Sequence, residues 1–181
     1  ITPDGLEMTF ALNHLAYFVV TTELFDLLRN TPGARVVNTA SSAHKFGRLD
    51  LDQVATRNGS AGFRAYCDSK LANVVFTREL AWRLASFGVT ANCLHPKFVR
   101  SRFFAQTTGL WTAAARGPLA APFARTPERA ADTLVWLATS PEAGSYSGEY
   151  FVDRAVTAVS RRARDADLVS RLWTLSEQLL S

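Results

Sequence analysis

Cysteine is scarce in this chain: Cys67 and Cys93 are the only two in 181 residues, and they sit in separate segments without a CxxC pair. That excludes a disulfide framework and predicts two reduced thiols in a cytoplasmic protein. The three histidines, His14, His44 and His95, are equally dispersed, so neither residue type offers the ligand spacing of a metal site. Of the 20 basic residues only Lys45, Lys70 and Lys97 are lysines, and the arginines are scattered rather than clustered. The net charge of +4 therefore describes a solvated surface and argues against a nucleic-acid partner. No apolar run reaches the roughly 18 residues that a membrane span needs, and Leu12 to Val20 is short and broken by His14. Repeats, linkers and low-complexity segments are missing too. The chain opens at Ile1 and enters a helical pattern almost at once, which reads as the middle of a longer protein.

Hydrophobic residues make up 48% of the chain and charged residues 20%, enough apolar side chain for one core and one domain. Phe10, Leu15, Phe18, Leu24, Phe25 and Leu28 recur at spacings near three and four, which predicts a long buried helix over Leu6 to Leu28. Arg35 to Ala40 is short and β-branched and follows a Pro-Gly turn, the pattern of a buried strand ending at Ser41-Ser42. Residues 43–62 read as a loop. Helical periodicity resumes from Arg64 to Phe87, Gly88 supplies a stop, and Val89 to His95 is a second apolar strand. Helix, strand, helix, strand in that order implies parallel strands with crossover helices, an α/β fold. From Pro96 to Arg125 no period holds, and an aromatic stretch containing Phe103, Phe104, Trp111 and Phe123 predicts a substrate loop at about 97–125. Thr126-Pro127-Glu128 then opens a helix to about Thr139, Glu149 to Val152 reads as a last strand, and Asp165 to Leu180 as a terminal amphipathic helix.

Tyr66-Cys67-Asp68-Ser69-Lys70 places a phenol and an ammonium one turn apart on the same helix face. A free tyrosine titrates near 10, too high to take a proton at neutral pH, and a nearby cation favours its phenolate. Such a tyrosine serves as general base toward an alcohol or general acid toward a carbonyl. Taken alone, a Tyr and a Lys four apart occur in many ordinary helices. Ser42, 24 positions earlier at a strand end, offers a hydroxyl to an oxygen on which charge develops, or merely starts a turn. Asn13 is an amide in an otherwise apolar helix, where it either holds a water for proton relay or is a satisfied core residue.

Four ordered segments carry a closer likeness: Phe10-Ala11-Leu12-Asn13-His14, Arg35 to His44, Ala65 to Asn73, and His95-Pro96. Together they resemble the short-chain dehydrogenase/reductase family, in its retinol dehydrogenase and WW-domain-oxidoreductase-like branch, strongly over residues 4–101 and loosely beyond. The resemblance implies that residues 1–181 are the C-terminal portion of a single Rossmann-like domain, a partial doubly wound parallel sheet without its N-terminal strands. It implies an NAD(P)-dependent oxidoreductase that interconverts a small-molecule alcohol and carbonyl, lipophilic by the aromatic loop, with NADP slightly favoured over NAD. Tyr66 would be the acid/base, Lys70 a modifier of its pKa and a ligand of the nicotinamide ribose, Ser42 the group that orients the substrate oxygen, and Asn13 the end of a proton relay. Pro96, Val99 and Ser101 would lie by the cofactor, and the long helices resemble those that pair in the family's homo-oligomers. Lys97 stands where the family has Gly, a place where the backbone takes φ > 0 or approaches the cofactor closely. The Gly-rich phosphate turn of the family would precede Ile1.

Two other readings compete. A catalytically silent remnant without cofactor binding would expose sheet edges and apolar faces. A serine hydrolase using Ser42 with His44 or His95 is the weaker of the two, since nothing supplies an oriented triad and the glycines around Ser145-Tyr146-Ser147 form neither Gly-x-Ser-x-Gly nor a dinucleotide turn.

Overall fold

In the computed structural model, which describes residues 1–56, 62–99 and 125–180, a helical rod begins the chain. Glu7 caps it, its carboxylate accepting from the amides of Thr9 and Phe10 at 3.0 and 2.7 Å. The rod runs through α1 (Met8–Phe10), a π-helical turn (Ala11–Leu15), α2 (Ala16–Glu23) and α3 (Phe25–Arg29). Apolar spacing predicts one regular helix here, and the structure breaks it at the π turn and at Leu24. In the π turn the Ala16 amide reaches back five residues to the Ala11 carbonyl. The extra residue in that turn lets two consecutive polar side chains face inward, Asn13 toward Ser69 and His14 toward Ser176.

Three strands are parallel: β1 (Arg35–Thr39), β2 (Thr90–Leu94) and β3 (Tyr150–Val152), in that order. A fourth, β4 (Ala155–Val156), turns back antiparallel on β3. Nothing in the sequence announced that hairpin, because its turn residues, Asp153 and Arg154, adopt φ of 53° and 61° without the usual Gly or Asn-Gly signal. Among the described residues β1 pairs only with β2, so its outer edge is open.

Both faces of the sheet are covered, as an α/β fold requires. On one face lies α4 (Gly62–Leu84), flanked by the N-terminal rod and by α6 (Ala166–Gln178). Strand alternation sends Val36, Ala91 and Cys93 to this face, against Phe76, Leu80, Leu71 and Val74. Val37, Leu94 and Phe151 face the other way, toward Leu137 of α5 (Pro127–Thr139). The Arg35 guanidinium closes that layer by donating to the carbonyls of Leu137 and Ser140 at the C-terminal end of α5. Phe18, Phe76 and Trp173 join rod, α4 and α6 through ring contacts of 4.8 to 5.8 Å.

Every residue of α4 from Cys67 to Thr77 is buried. Gly47 lets the preceding loop lie flat on it, since a Cβ there would meet the Cys67 carbonyl oxygen at 2.7 Å and the Leu71 Cβ at 2.9 Å. Leu84 to Gly88 ends the helix, with Gly88 at φ 67° as the stop that the sequence predicts.

Two histidines are held neutral by burial, His14 down to about 3 and His95 down to about 4. Their folded-state values lie below the unfolded value near 6.5, so they contribute stability at neutral pH that drains away as pH falls below 6.5. Urea unfolding between pH 7 and pH 4 therefore loses stability by at most about 1.4 kcal/mol per pH unit for each histidine. His14→Phe, placed among Phe10, Phe18 and Phe76, flattens that slope.

Candidate active site

The chemistry-bearing residues gather where β1 ends against α4. Ser41 leaves the strand in an extended conformation, φ −157° and ψ 156°, and opens a short 3-10 turn over Ser42–Phe46. Its side-chain oxygen accepts from the Ala43 amide at 3.2 Å, which leaves the hydroxyl proton free to turn to the phenol of Tyr66, with which it is hydrogen-bonded. Ser42 is exposed, and among the described residues its hydroxyl has no hydrogen-bond partner. The structure thus joins Ser41 to Tyr66 and leaves Ser42, the serine singled out by sequence, on the surface. In a Ser-Ser pair ahead of a turn the first serine caps and faces in, while the second starts the turn and faces out.

Tyr66 is half-buried in the first turns of α4, and burial pushes its phenol above the ordinary value of 10, Cys67 and Tyr17 adding to the rise. The Ser41 hydrogen bond works in the opposite direction. Lys70, one turn on, is 8% exposed, and burial brings its ammonium down to about 8. Its Nζ sits 5.8 Å from the centre of the Tyr66 ring and donates to the Thr39 carbonyl at 3.2 Å. The sequence predicts that the ammonium pulls the phenol down; in this arrangement the lowering comes from Ser41 instead, desolvation outweighs it, and Tyr66 rests as a neutral phenol. At neutral pH the pair is a proton-bearing phenol over an ammonium that is still mostly charged.

The pentapeptide divides its labour around the helix. Ser69 donates to the Tyr66 carbonyl at 2.8 Å and accepts from the Asn13 amide at 3.1 Å, so the candidate relay residue is tethered to the turn that carries Tyr66. Asp68 is fully buried and takes the amides of Arg48 and Leu49 at 2.7 and 3.0 Å, pinning the loop beside the site. Asn73 donates to the same Thr39 carbonyl as Lys70, at 3.4 Å, and its own carbonyl oxygen is buried without a partner among the described residues.

His44 is committed away from Ser42: Nδ1 meets the Ser41 carbonyl at 2.7 Å and Nε2 faces the Ser160 amide at 3.3 Å. With no free ring nitrogen it is no general base for Ser42, which weighs against the hydrolase reading. His95 follows β2, and its Nδ1 is buried and unpartnered among the described residues, as is the Tyr150 hydroxyl. No cluster of three or more His, Cys, Asp or Glu able to hold a metal occurs among the described residues.

Pro96 and Val99 lie half-buried at the neck that leaves β2, and Val99 forms an isolated parallel bridge with Arg125. Ser101 and residues 100–124, hence most of the expected substrate loop, lie outside the described residues. Lys97 has φ 62°, the left-handed backbone for which Gly is the usual choice. Its long side chain is drawn off to Asp153, which also pairs with Arg125 and is held at about 2 by these two cations. The side chain that threatened to crowd a cofactor is thereby tied to the β3–β4 turn.

A nicotinamide dinucleotide, the group that the family resemblance implies, finds fitting residues here. The Lys70 ammonium has three N–H bonds and one protein acceptor among the described residues, so two donors are left for ribose hydroxyls. Sequence reasoning missed Ser41, Ser69, His44 and the Thr39 carbonyl. The first was within reach from its place ahead of the turn; the others depend on contacts across the fold.

Comparison with known proteins gives concordant findings. The family model described as short chain dehydrogenase matches residues 1–109. Human retinol dehydrogenase 12 is 41% identical over 99% of this chain and 56% of its own length, and human retinol dehydrogenase 13 is 36% identical over 99% and 55%. The chain thus spans about half the length of the curated relatives it matches. A crystal structure of an uncharacterised protein from Mycobacterium paratuberculosis superposes with a TM-score of 0.71 at 30% identity, covering 99% of this chain and 60% of that one.

Removing the Ser41 hydroxyl takes away the one neighbour that lowers the Tyr66 value. Ultraviolet difference titration of the phenol, with the Tyr66→Phe chain as blank, shifts upward in Ser41→Ala and stays in place in Ser42→Ala.

Proposed function

Since the chain belongs to the short-chain dehydrogenase family, we propose that it interconverts an alcohol and a carbonyl, with hydride passing to or from a nicotinamide dinucleotide. The observation that carries this reading is the Ser41 hydroxyl bonded to the Tyr66 phenol above a buried Lys70 ammonium. When bound, NAD or NADP supplies or accepts the hydride. NADP is the slightly favoured form, on the family resemblance.

Tyr66, a neutral phenol at working pH, gives its proton to the oxygen of a carbonyl substrate; in the reverse direction its phenolate takes the proton of the alcohol. Ser41 donates to the same oxygen and keeps it in reach of Tyr66, the role first given to Ser42. Lys70 lends its two remaining N–H bonds to the ribose hydroxyls and its charge to the Tyr66 oxygen as the proton departs. Asn13, held by Ser69, is the residue to which the family resemblance gives the relay of that proton toward solvent. Pro96 and Val99, half-buried after β2, would lie beside the nicotinamide, and the family resemblance adds Ser101 to them. A lipophilic substrate is supported by two facts: the relatives are named for retinol, and the sequence from 100 to 124 contains Phe103, Phe104, Trp111 and Phe123.

The competing reading is a catalytically silent chain without cofactor binding. One experiment separates the two: nicotinamide absorbance followed with a panel of lipophilic alcohols and aldehydes, on the 181-residue chain and on the full product of its gene. Turnover that drops about 100-fold or more in Tyr66→Phe, the span of a lost general acid or base, is the expected result. A folded full product that never turns over would favour the silent reading.

A further inference from the structure

His44 has its protons assigned by its neighbours. The Ser41 carbonyl can only accept, so the Nδ1 that meets it at 2.7 Å carries the hydrogen; the Ser160 amide can only donate, so the Nε2 that it approaches at 3.3 Å is bare. The ring is fully buried, edge-on to Tyr150 with centroids 4.8 Å apart. A second proton on Nε2 would point an N–H at the Ser160 N–H, so the arrangement admits only the neutral ring. Burial, the largest influence on the ring, also favours that form.

The same histidine takes hold of Ser41 twice. Its backbone amide reaches the Ser41 carbonyl at 3.1 Å and its Nδ1 reaches that oxygen at 2.7 Å, closing the turn from both sides. Within the closed turn the Ala43 amide occupies one lone pair of the Ser41 oxygen, and the hydroxyl proton is left with Tyr66 as its partner. On its far side His44 is anchored to a residue 116 positions later, in the segment between β4 and α6. Ser160 belongs to a fixed unit there: its side chain accepts from the Ala163 amide, and Arg162 donates to the Arg48 carbonyl.

We propose that His44 is a positioning residue for proton transfer: it fixes the Ser41 hydroxyl against Tyr66, and through Ser160 it makes that placement depend on the C-terminal segment. This rests on the reading of Ser41 and Tyr66 as the proton-transfer pair. His44 touches neither substrate nor cofactor in this role and acts only through Ser41.

A double-mutant cycle read on the Tyr66 phenol tests the idea, with difference titrations of Ser41→Ala, His44→Leu and the double variant, each against its Tyr66→Phe counterpart. Loss of a hydrogen bond to the phenolate raises the midpoint by about one unit. His44→Leu should match Ser41→Ala, and the double variant should rise no further than Ser41→Ala alone. His44→Asn, whose amide nitrogen replaces Nδ1, should restore the original midpoint. A His44→Leu midpoint equal to that of the parent chain, or a shift that adds fully to the Ser41→Ala shift, would overturn the proposal. Should His44→Leu not fold, long-range proton–nitrogen NMR of the unsubstituted chain decides: a neutral ring protonated on Nδ1 supports the assignment, and a ring protonated on Nε2, or charged at neutral pH, ends it. The readout is a titration, so absence of hydride transfer would sink the proposed function and leave this result standing, and an additive cycle would do the reverse.

Discussion

Lys70 carries a positive charge into the layer between α4 and the sheet, and its one protein acceptor among the described residues is the Thr39 carbonyl at the end of β1. A buried ammonium is costly unless its donors are used. The polar groups on the same stretch of helix are each tied to a neighbouring segment. Asn73 shares the Thr39 carbonyl, Asp68 fastens the adjoining loop, and Ser69 ties Asn13 to the same turn of helix. Tyr66 and Ser41 then sit above the charge with their hydroxyls joined.

The helix can hold such a group only because its whole middle is enclosed. Residues 67–77 are buried between the N-terminal rod, α6 and the sheet, so polar side chains there must find partners within the fold. Two buried histidines packed around the helix reach the C-terminal segment: His14 donates to Ser176, whose own proton goes to the Leu172 carbonyl, and His44 meets Ser160. The site is thus assembled from residues far apart in sequence.

Much of this was legible beforehand. Apolar spacing and breakers located the helices and the three parallel strands, and the Thr126-Pro127 start of α5 was read correctly because capping chemistry is local. The Tyr66–Lys70 pairing was visible since a helix brings residues four apart together. Four features were not. The π turn leaves no mark on apolar periodicity, since Phe10, Leu15 and Phe18 are buried on either side of it. The β3–β4 hairpin uses Asp153 and Arg154 at positive φ in place of the residues that usually signal such a turn. The choice between Ser41 and Ser42 turned on which of two identical side chains faces inward at a strand end, and the direction of the Tyr66 shift turned on how much solvent the fold removes, which spacing alone does not contain.

The central claim is that the ammonium of Lys70 lies under the site, desolvated and with donors to spare. Nitrogen-detected NMR of the lysine side chains, followed through pH with Lys70→Met for assignment, measures this directly. The account predicts a Lys70 midpoint at about 8. A midpoint at the ordinary value of 10.5 would place the ammonium in solvent and contradict it.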